Sequence, residues 1–289
     1  MPRPPLGGER RGRGRRRLRV AVRLVRDVVL RAGDVRVTVS PALGGRLSAL
    51  TIDGIDVLVP GAGHGSFPMA PWCGRTADGL VHLPDHDVRL PINNGPHAIH
   101  GTVRDAAWDV TSVSETAVSM ACELVEPWPF RGRVTQELSL APTHLDLSMT
   151  VTTHAGPFPA QVGWHPWFAT TLVDGAPRAT LEFTADWQEE RVAMIPTGRR
   201  LPVGPPPWDD CFGMPGGVAV AVIWPGQLRV DVTSPAEWVV VFNERPEAVC
   251  VEPQSGPPNG LNSAPRIVTV DDPLHMSSRW AWRRLRSTG

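Results

Sequence analysis

The stretch Asp34-Val35-Arg36-Val37-Thr38-Val39 alternates polar and apolar side chains one by one. That period of two is the mark of a strand with one face buried and one face wet. Working outward, Pro41-Ala42-Leu43-Gly44-Gly45 turns the chain and Leu47-Ser48-Ala49-Leu50-Thr51-Ile52 begins a second strand. Asp53-Gly54 predicts a tight hairpin into Ile55-Asp56-Val57-Leu58-Val59. The same grammar predicts further strands at Ala117 to Glu126, Arg133 to Leu140, Leu145 to Thr152, Ala179 to Phe183, Val218 to Trp224, Leu228 to Thr233 and Trp238 to Phe242. No amphipathic helix longer than about two turns is visible, and no strand–helix alternation suggests a parallel α/β sheet. The expectation is an all-β protein of antiparallel strands, a sandwich or barrel, in one domain over residues 28–286.

Composition narrows the function classes. The 289 residues are 42% hydrophobic, with 28 Gly and 31 Pro, so the chain can bury a core and is rich in turns. Charge balances at 29 basic against 29 acidic residues, but residues 1–27 concentrate arginine, as in Arg10-Arg11, Arg13 and Arg15-Arg16-Arg17. Such a block is read as a disordered, solvated N-terminal arm. All basic residues are arginine, and lysine and tyrosine are absent. Lysine and tyrosine codons are A/T-rich, so this reflects a GC-rich genome rather than phosphate or nucleic-acid binding. No stretch reaches the roughly 18 apolar residues of a membrane span, and the arginines interrupt any signal-peptide core. Cys73, Cys122, Cys211 and Cys250 form no C-x-x-C pair and read as reduced thiols of a cytoplasmic protein. Neither a nucleic-acid nor a membrane partner is expected.

The unusual residues sit between the strands. Pro71-Trp72-Cys73-Gly74-Arg75 offers a guanidinium fork able to reach several hydroxyls. Asn93-Asn94-Gly95-Pro96-His97-Ala98-Ile99-His100-Gly101 pairs two histidines with a glycine that permits close backbone approach. No His/Cys cluster with metal-site spacing accompanies them, and no metal is expected. In Gln161-Val162-Gly163-Trp164-His165-Pro166-Trp167-Phe168, His165 lies between tryptophans, with a proline that suggests the strand ends there. Pro205-Pro206-Pro207-Trp208-Asp209-Asp210 can fix a carboxylate on a rigid loop. Ala248-Val249-Cys250-Val251-Glu252-Pro253-Gln254 is an apolar strand ending in a glutamate, whose partial burial would raise its pKa towards that of a general base.

In this order and spacing, these stretches resemble the aldose 1-epimerase (mutarotase) family from about Val28 to Trp282. The most specific pieces are Ala98-Ile99-His100-Gly101, Gly163-Trp164-His165-Pro166-Trp167-Phe168 and Cys250-Val251-Glu252-Pro253-Gln254. The resemblance implies a β-supersandwich of the galactose-mutarotase type, acting as a cofactor-free isomerase on a monosaccharide, as a monomer or homodimer. By position it implies Glu252 as general base and His165 as general acid, with His100, Asp209 and Arg75 binding the sugar. Trp164, Trp72 and Trp208 adjoin these motifs; Trp164 is expected to contact the sugar's apolar face, whereas burial in the β core is the expectation for Trp72 and Trp208. His165 is expected to be protonated while Glu252 is ionised, their attraction favouring that state. Gly74 where many members have asparagine, Asp210 where many have histidine, and Gly-Trp-His-Pro in place of Asn-His-Ser-Tyr are closer to a divergent bacterial branch and leave the aldose open. The alternatives are a hexose-6-phosphate 1-epimerase using Arg75, Arg104, Arg131 and Arg133, and a non-catalytic sugar-binding domain.

Overall fold

The computed structural model describes residues 26–61 and 63–285. The arginine-rich arm expected over residues 1–27 falls almost wholly outside them. Strands dominate, all paired antiparallel in the two main sheets, and the one α-helix among the described residues is the short Gly260–Ser263. Turn chemistry works as expected at Asp53-Gly54: both residues take positive φ, 50° and 82°, and Ile52 pairs with Ile55. The strand beyond it stops at Asp56, whereas Val218–Trp224 and Trp238–Phe242 span the residues anticipated.

One large sheet carries the site. Its path runs from Val28–Ala32 through Val35–Ser40, Arg46–Ile52, Ser66–Met69, Gly163–Ala169, Ala248–Gln254, Trp238–Phe242, Asp209–Gly213 and Trp187–Val192 to Ile195–Leu201. The eight-stranded second sheet is built around the long strands Gly132–Ala141, His144–Thr153 and Leu274–Arg284. His144–Thr153 alternates strictly between buried and half-exposed residues, as a sheet with one wet face requires.

The core lies between the sheets. Phe168 meets Trp280 of the second sheet with ring centroids 5.4 Å apart, and the Trp224 indole N–H donates to the Ala169 carbonyl at 2.8 Å. A polar relay crosses the same interior: Trp164 Nε1–H donates to Gln136 Oε1, and Gln136 Nε2–H donates to the Gly45 carbonyl, both at 2.8 Å. Both ends are therefore satisfied inside the core.

Two strand boundaries differ from expectation. His165 does not end its strand, which continues to Ala169, and Glu252 does not end its own, which continues to Gln254. Between the Gly163–Gln254 and Trp167–Cys250 pairs, these two strands form no ladder pairs. Pro166 and Pro253, which have no N–H to donate, lie in that gap, so the strand tolerates its proline.

Candidate active site

His165 and Glu252 are brought together by strand register. Each lies two residues from both the Gly163–Gln254 and the Trp167–Cys250 pair, which sets them opposite one another on one face of the sheet. His165 Nε2 lies 3.1 Å from Glu252 Oε1. The row continues across neighbouring strands: Phe67 pairs with His165, Glu252 with Val240, and Val240 with Cys211. One step along the same face, Cys250 pairs with Phe242, and Phe242 with Asp209. Asp209 thus stands two strands from Glu252, about 10 Å by inter-strand spacing. His165, Glu252, Val240, Cys211, Phe242 and Asp209 line a cavity of about 480 Å³, together with Arg75, His100, Trp167 and Arg191.

Loops supply the other walls. Arg75 pairs with Ile99 in a two-stranded ribbon, and its Nε–H donates to Asn94 Oδ1 at 3.4 Å. The preceding Gly74 has φ 58°, and a Cβ there would lie 2.8 Å from Pro258 Cβ, so this turn excludes larger residues. His100 itself takes φ 64°, a strained conformation for a side-chain-bearing residue, and its ring stands edge-on to His165 at 5.0 Å. Gly101 makes that approach possible, since a Cβ there would fall 1.9 Å from the Ala70 carbonyl oxygen. His97, three residues before His100, has both ring nitrogens engaged: Nδ1 accepts from the Asp78 N–H and Nε2 contacts the Ala193 carbonyl, each at 3.1 Å.

Burial dominates the electrostatics. Glu252 is 2% exposed; its burial, reinforced by the charge of Asp209, pushes the carboxyl well above the ordinary range against the pull of Arg75 and the Gln254 amide. His165 is 6% exposed; burial and then the positive charge of Arg104 push the imidazole down to about 3. His100 is held well below its ordinary value by burial, then by His165, Arg104 and Arg75. Asp209 is raised by burial, against Arg191 and Arg75. Both shifts run against the ionised His165–Glu252 pair expected from their attraction, because burial disfavours the carboxylate and the imidazolium alike.

Of the tryptophans, Trp164 departs from expectation. Trp164 is 0% exposed and faces the inter-sheet core, not the cavity. Side chains one residue apart on a strand point to opposite faces, so Trp164 cannot share the face of His165. Trp72 is buried in the same core, and Trp208 packs on Phe183 with its indole N–H on the Gly204 carbonyl at 2.9 Å. The aromatic wall is Trp167, two residues beyond His165, stacked on its ring at 4.9 Å and 14°. The spacing of two was the signal available in the sequence.

Arg191 is the other participant not anticipated: it contacts Asp209 Oδ2 at 3.4 Å and Asp210 Oδ1 at 3.2 Å. Nothing in its surroundings along the chain marks it. Of the arginines considered for phosphate, Arg75 lines the main cavity and Arg104 a chamber beside it, whereas Arg133 pairs with Glu123 at 2.7 Å and Arg131 is exposed, neither lining them. Among the described residues, His165, Cys250 and Glu252 have ligand atoms within 4.8 Å of one another. Burial, and then Glu252, push the Cys250 thiol well up, disfavouring the thiolate that a metal would require.

Comparison with known proteins agrees with this architecture. A family model described as aldose 1-epimerase matches residues 26–270. The uncharacterised protein YihR of Escherichia coli strain K12 is 25% identical, over 84% of this chain and 88% of its own length. The galactose 1-epimerase of Lactobacillus acidophilus NCFM superposes with a TM-score of 0.75 at 15% identity, covering 90% of this chain and 95% of that one. The GalM/aldose epimerase homologue of C. elegans gives 0.78 at 15% identity, covering 90% and 99%. With its β-rich fold and a match spanning most of its length, the chain belongs to the aldose 1-epimerase family.

Proposed function

We propose that the protein interconverts the α and β anomers of an aldose by acid–base opening and reclosure of the sugar ring. The observation that carries this reading is the His165–Glu252 pair, buried, 3.1 Å apart, at the floor of a cavity flanked by Asp209, Arg75 and His100. Binding alone needs no such acid–base pair held away from water.

The chemistry conserves one proton on the pair. Sugar hydroxyls beside the pair replace water and permit its ionised form. Glu252 then takes the proton of the anomeric O1 hydroxyl while His165 gives its proton to the ring oxygen. The C1–O5 bond breaks with its electrons going to O5, and the O1–H electrons form the C1=O double bond. The pair is left neutral, the form that burial favours. Rotation about C1–C2 presents the other carbonyl face, and reclosure reverses both transfers. His100, 5.0 Å from His165 by ring centroid, is positioned to donate to a sugar oxygen, and Asp209 and Arg75 to hold ring hydroxyls. Each acid–base group is expected to contribute about 10²–10⁴-fold.

The test is polarimetry of freshly dissolved α-anomers of glucose, galactose, xylose and arabinose, with the 6-phosphate of glucose alongside. Accelerated equilibration of at least one supports the reading. Tight sugar binding without acceleration would instead establish a non-catalytic binding domain.

A further inference from the structure

His97 is a motif residue that the acid–base chemistry leaves unused, and one of its partners belongs to a distant hairpin. Its Nδ1 accepts from the Asp78 N–H, so Nε2 carries the proton and donates to the Ala193 carbonyl at 3.1 Å. Ala193 and Met194 form the two-residue tip of a hairpin between the strands Trp187–Val192 and Ile195–Leu201, closed by the Val192–Ile195 pair. Both tip residues take positive φ, 49° and 70°, a conformation that costs energy in residues with a Cβ and needs outside support. The hairpin is also irregular. Between the Glu189–Arg200 and Arg191–Pro196 pairs, Thr197, Gly198 and Arg199 oppose Glu190 alone. Glu190 pins this bulge by accepting from the Thr197 hydroxyl at 2.6 Å and from Arg199 Nη1–H at 2.8 Å. Glu189, Arg191, Met194 and Pro196 of the hairpin line the main cavity. The hairpin is therefore a strap along the cavity wall, fastened at its tip.

Arg191 is what the strap delivers. Its strand pairs with Asp209–Gly213 at Trp187–Gly213 and Gln188–Phe212, and the ladder ends there. Arg191 bridges the two strands beyond that point. Its Nη1 lies 3.4 Å from Asp209 Oδ2 and its Nε 3.2 Å from Asp210 Oδ1, while Nη1–H also reaches Met194 Sδ at 3.4 Å. A carboxylate has about four acceptor sites, so this contact fixes the Asp209 side chain and leaves acceptors for sugar hydroxyls. Burial raises the pKa of Asp209; Arg191 opposes this most, then Arg75, and the negative charge of Glu244 adds to it. Glu252 and Asp209 also repel one another when both are ionised.

We propose that Arg191 is a positioning residue for sugar binding: carried to the cavity by the strap, it holds the Asp209 carboxylate in the orientation that accepts the ring hydroxyls. This rests on the epimerase reading, and the experiment separates the two. Exchange of the α-anomers of glucose, galactose, xylose and arabinose is followed from pH 4.5 to 8. The proteins are the wild type, Arg191→Gln, Arg191→Lys, Asp209→Asn and the double variant with Arg191→Gln and Asp209→Asn. For the sugar exchanged fastest, Arg191→Gln should raise KM by about tenfold while kcat falls by less, because binding and not proton transfer is lost. In the Asp209→Asn background the same substitution should raise KM by no more than about twofold, since its effect runs through the carboxylate. The acid limb of kcat/KM should move to higher pH in Arg191→Gln and stay with the wild type in Arg191→Lys, which keeps the charge. A KM within about twofold of the wild type in Arg191→Gln, an equal rise in both backgrounds, or an acid limb that departs from this pattern overturns the proposal while the epimerase reading stands. If the wild type exchanges none of these sugars, the epimerase reading fails instead, and calorimetric titration of the same four sugars decides. Binding weakened about tenfold by Arg191→Gln, but by no more than about twofold in the Asp209→Asn background, supports the role, and any other result overturns it.

Discussion

Replacing Glu252 by glutamine is expected to move activity and stability in opposite directions. The substitution keeps shape and can still hydrogen-bond His165, 3.1 Å away, but it cannot take a proton. Anomer exchange should fall by about 10²–10⁴-fold, equivalent to roughly 3–5 kcal/mol of transition-state stabilisation. The stability effect follows from burial. The folded carboxyl titrates well above 4.5, so above that pH the native state keeps a proton that the unfolded chain has released. Wild-type stability therefore falls with rising pH by about 1.4 kcal/mol per unit until the native carboxyl ionises. Glu252→Gln removes this term. Its advantage over the wild type should be small near pH 4.5 and grow by about that slope above it. His165 is present in both proteins; being lowered from 6.5 to about 3, it costs stability as pH falls below 6.5 and largely cancels in the difference. The assays are polarimetry and urea unfolding at pH 5, 6, 7 and 8. Near-normal exchange would refute the role of the carboxylate, and a stability difference flat across that range would refute its burial.

Anomer exchange should show no loss from His165 protonation as pH falls from about 7 to 4.5, because burial holds its imidazole down to about 3. An inflection close to 6.5 would show a solvated histidine instead. Trp164→Phe should cost about 1–3 kcal/mol in urea unfolding by orphaning Gln136 Oε1, while leaving KM unchanged. Trp167→Ala should do the converse, raising KM for the sugar through loss of the cavity wall; a KM effect confined to Trp164 would reverse the assignment. Gly101→Ala meets both a φ of 71° and the Ala70 carbonyl, and should destabilise by roughly 3 kcal/mol or more in thermal unfolding. A loss within about 1 kcal/mol would show that the His100 turn can relax.

Much of the fold was legible because its signals are local. Period-two alternation in Asp34–Val39 and the Asp53-Gly54 turn are set by sterics within a few residues. The same holds for the absence of helical periodicity. The motif residues were legible too, through family resemblance, and the structure places His165, Glu252, His100, Asp209 and Arg75 around one cavity.

What failed was anything that depends on both sides of a strand. The segment Gly163–Ala169 is buried on both faces along most of its length, so it lacks the polar–apolar contrast that shows which side faces the core. Trp164, expected at the sugar because it adjoins the His165 motif, faces the core, whereas Trp167, at a spacing of two from His165, forms the wall.

From sequence alone, then, come the all-β class, its turns and the motif residues that meet at the cavity, all carried by local pattern or motif. Tertiary structure alone decides the opposition of His165 and Glu252, the burial of both, and the place of Arg191 and Trp167 in the cavity wall. Those depend on register between distant strands and on how completely water is excluded between them, and neither quantity is encoded within any single stretch of the chain.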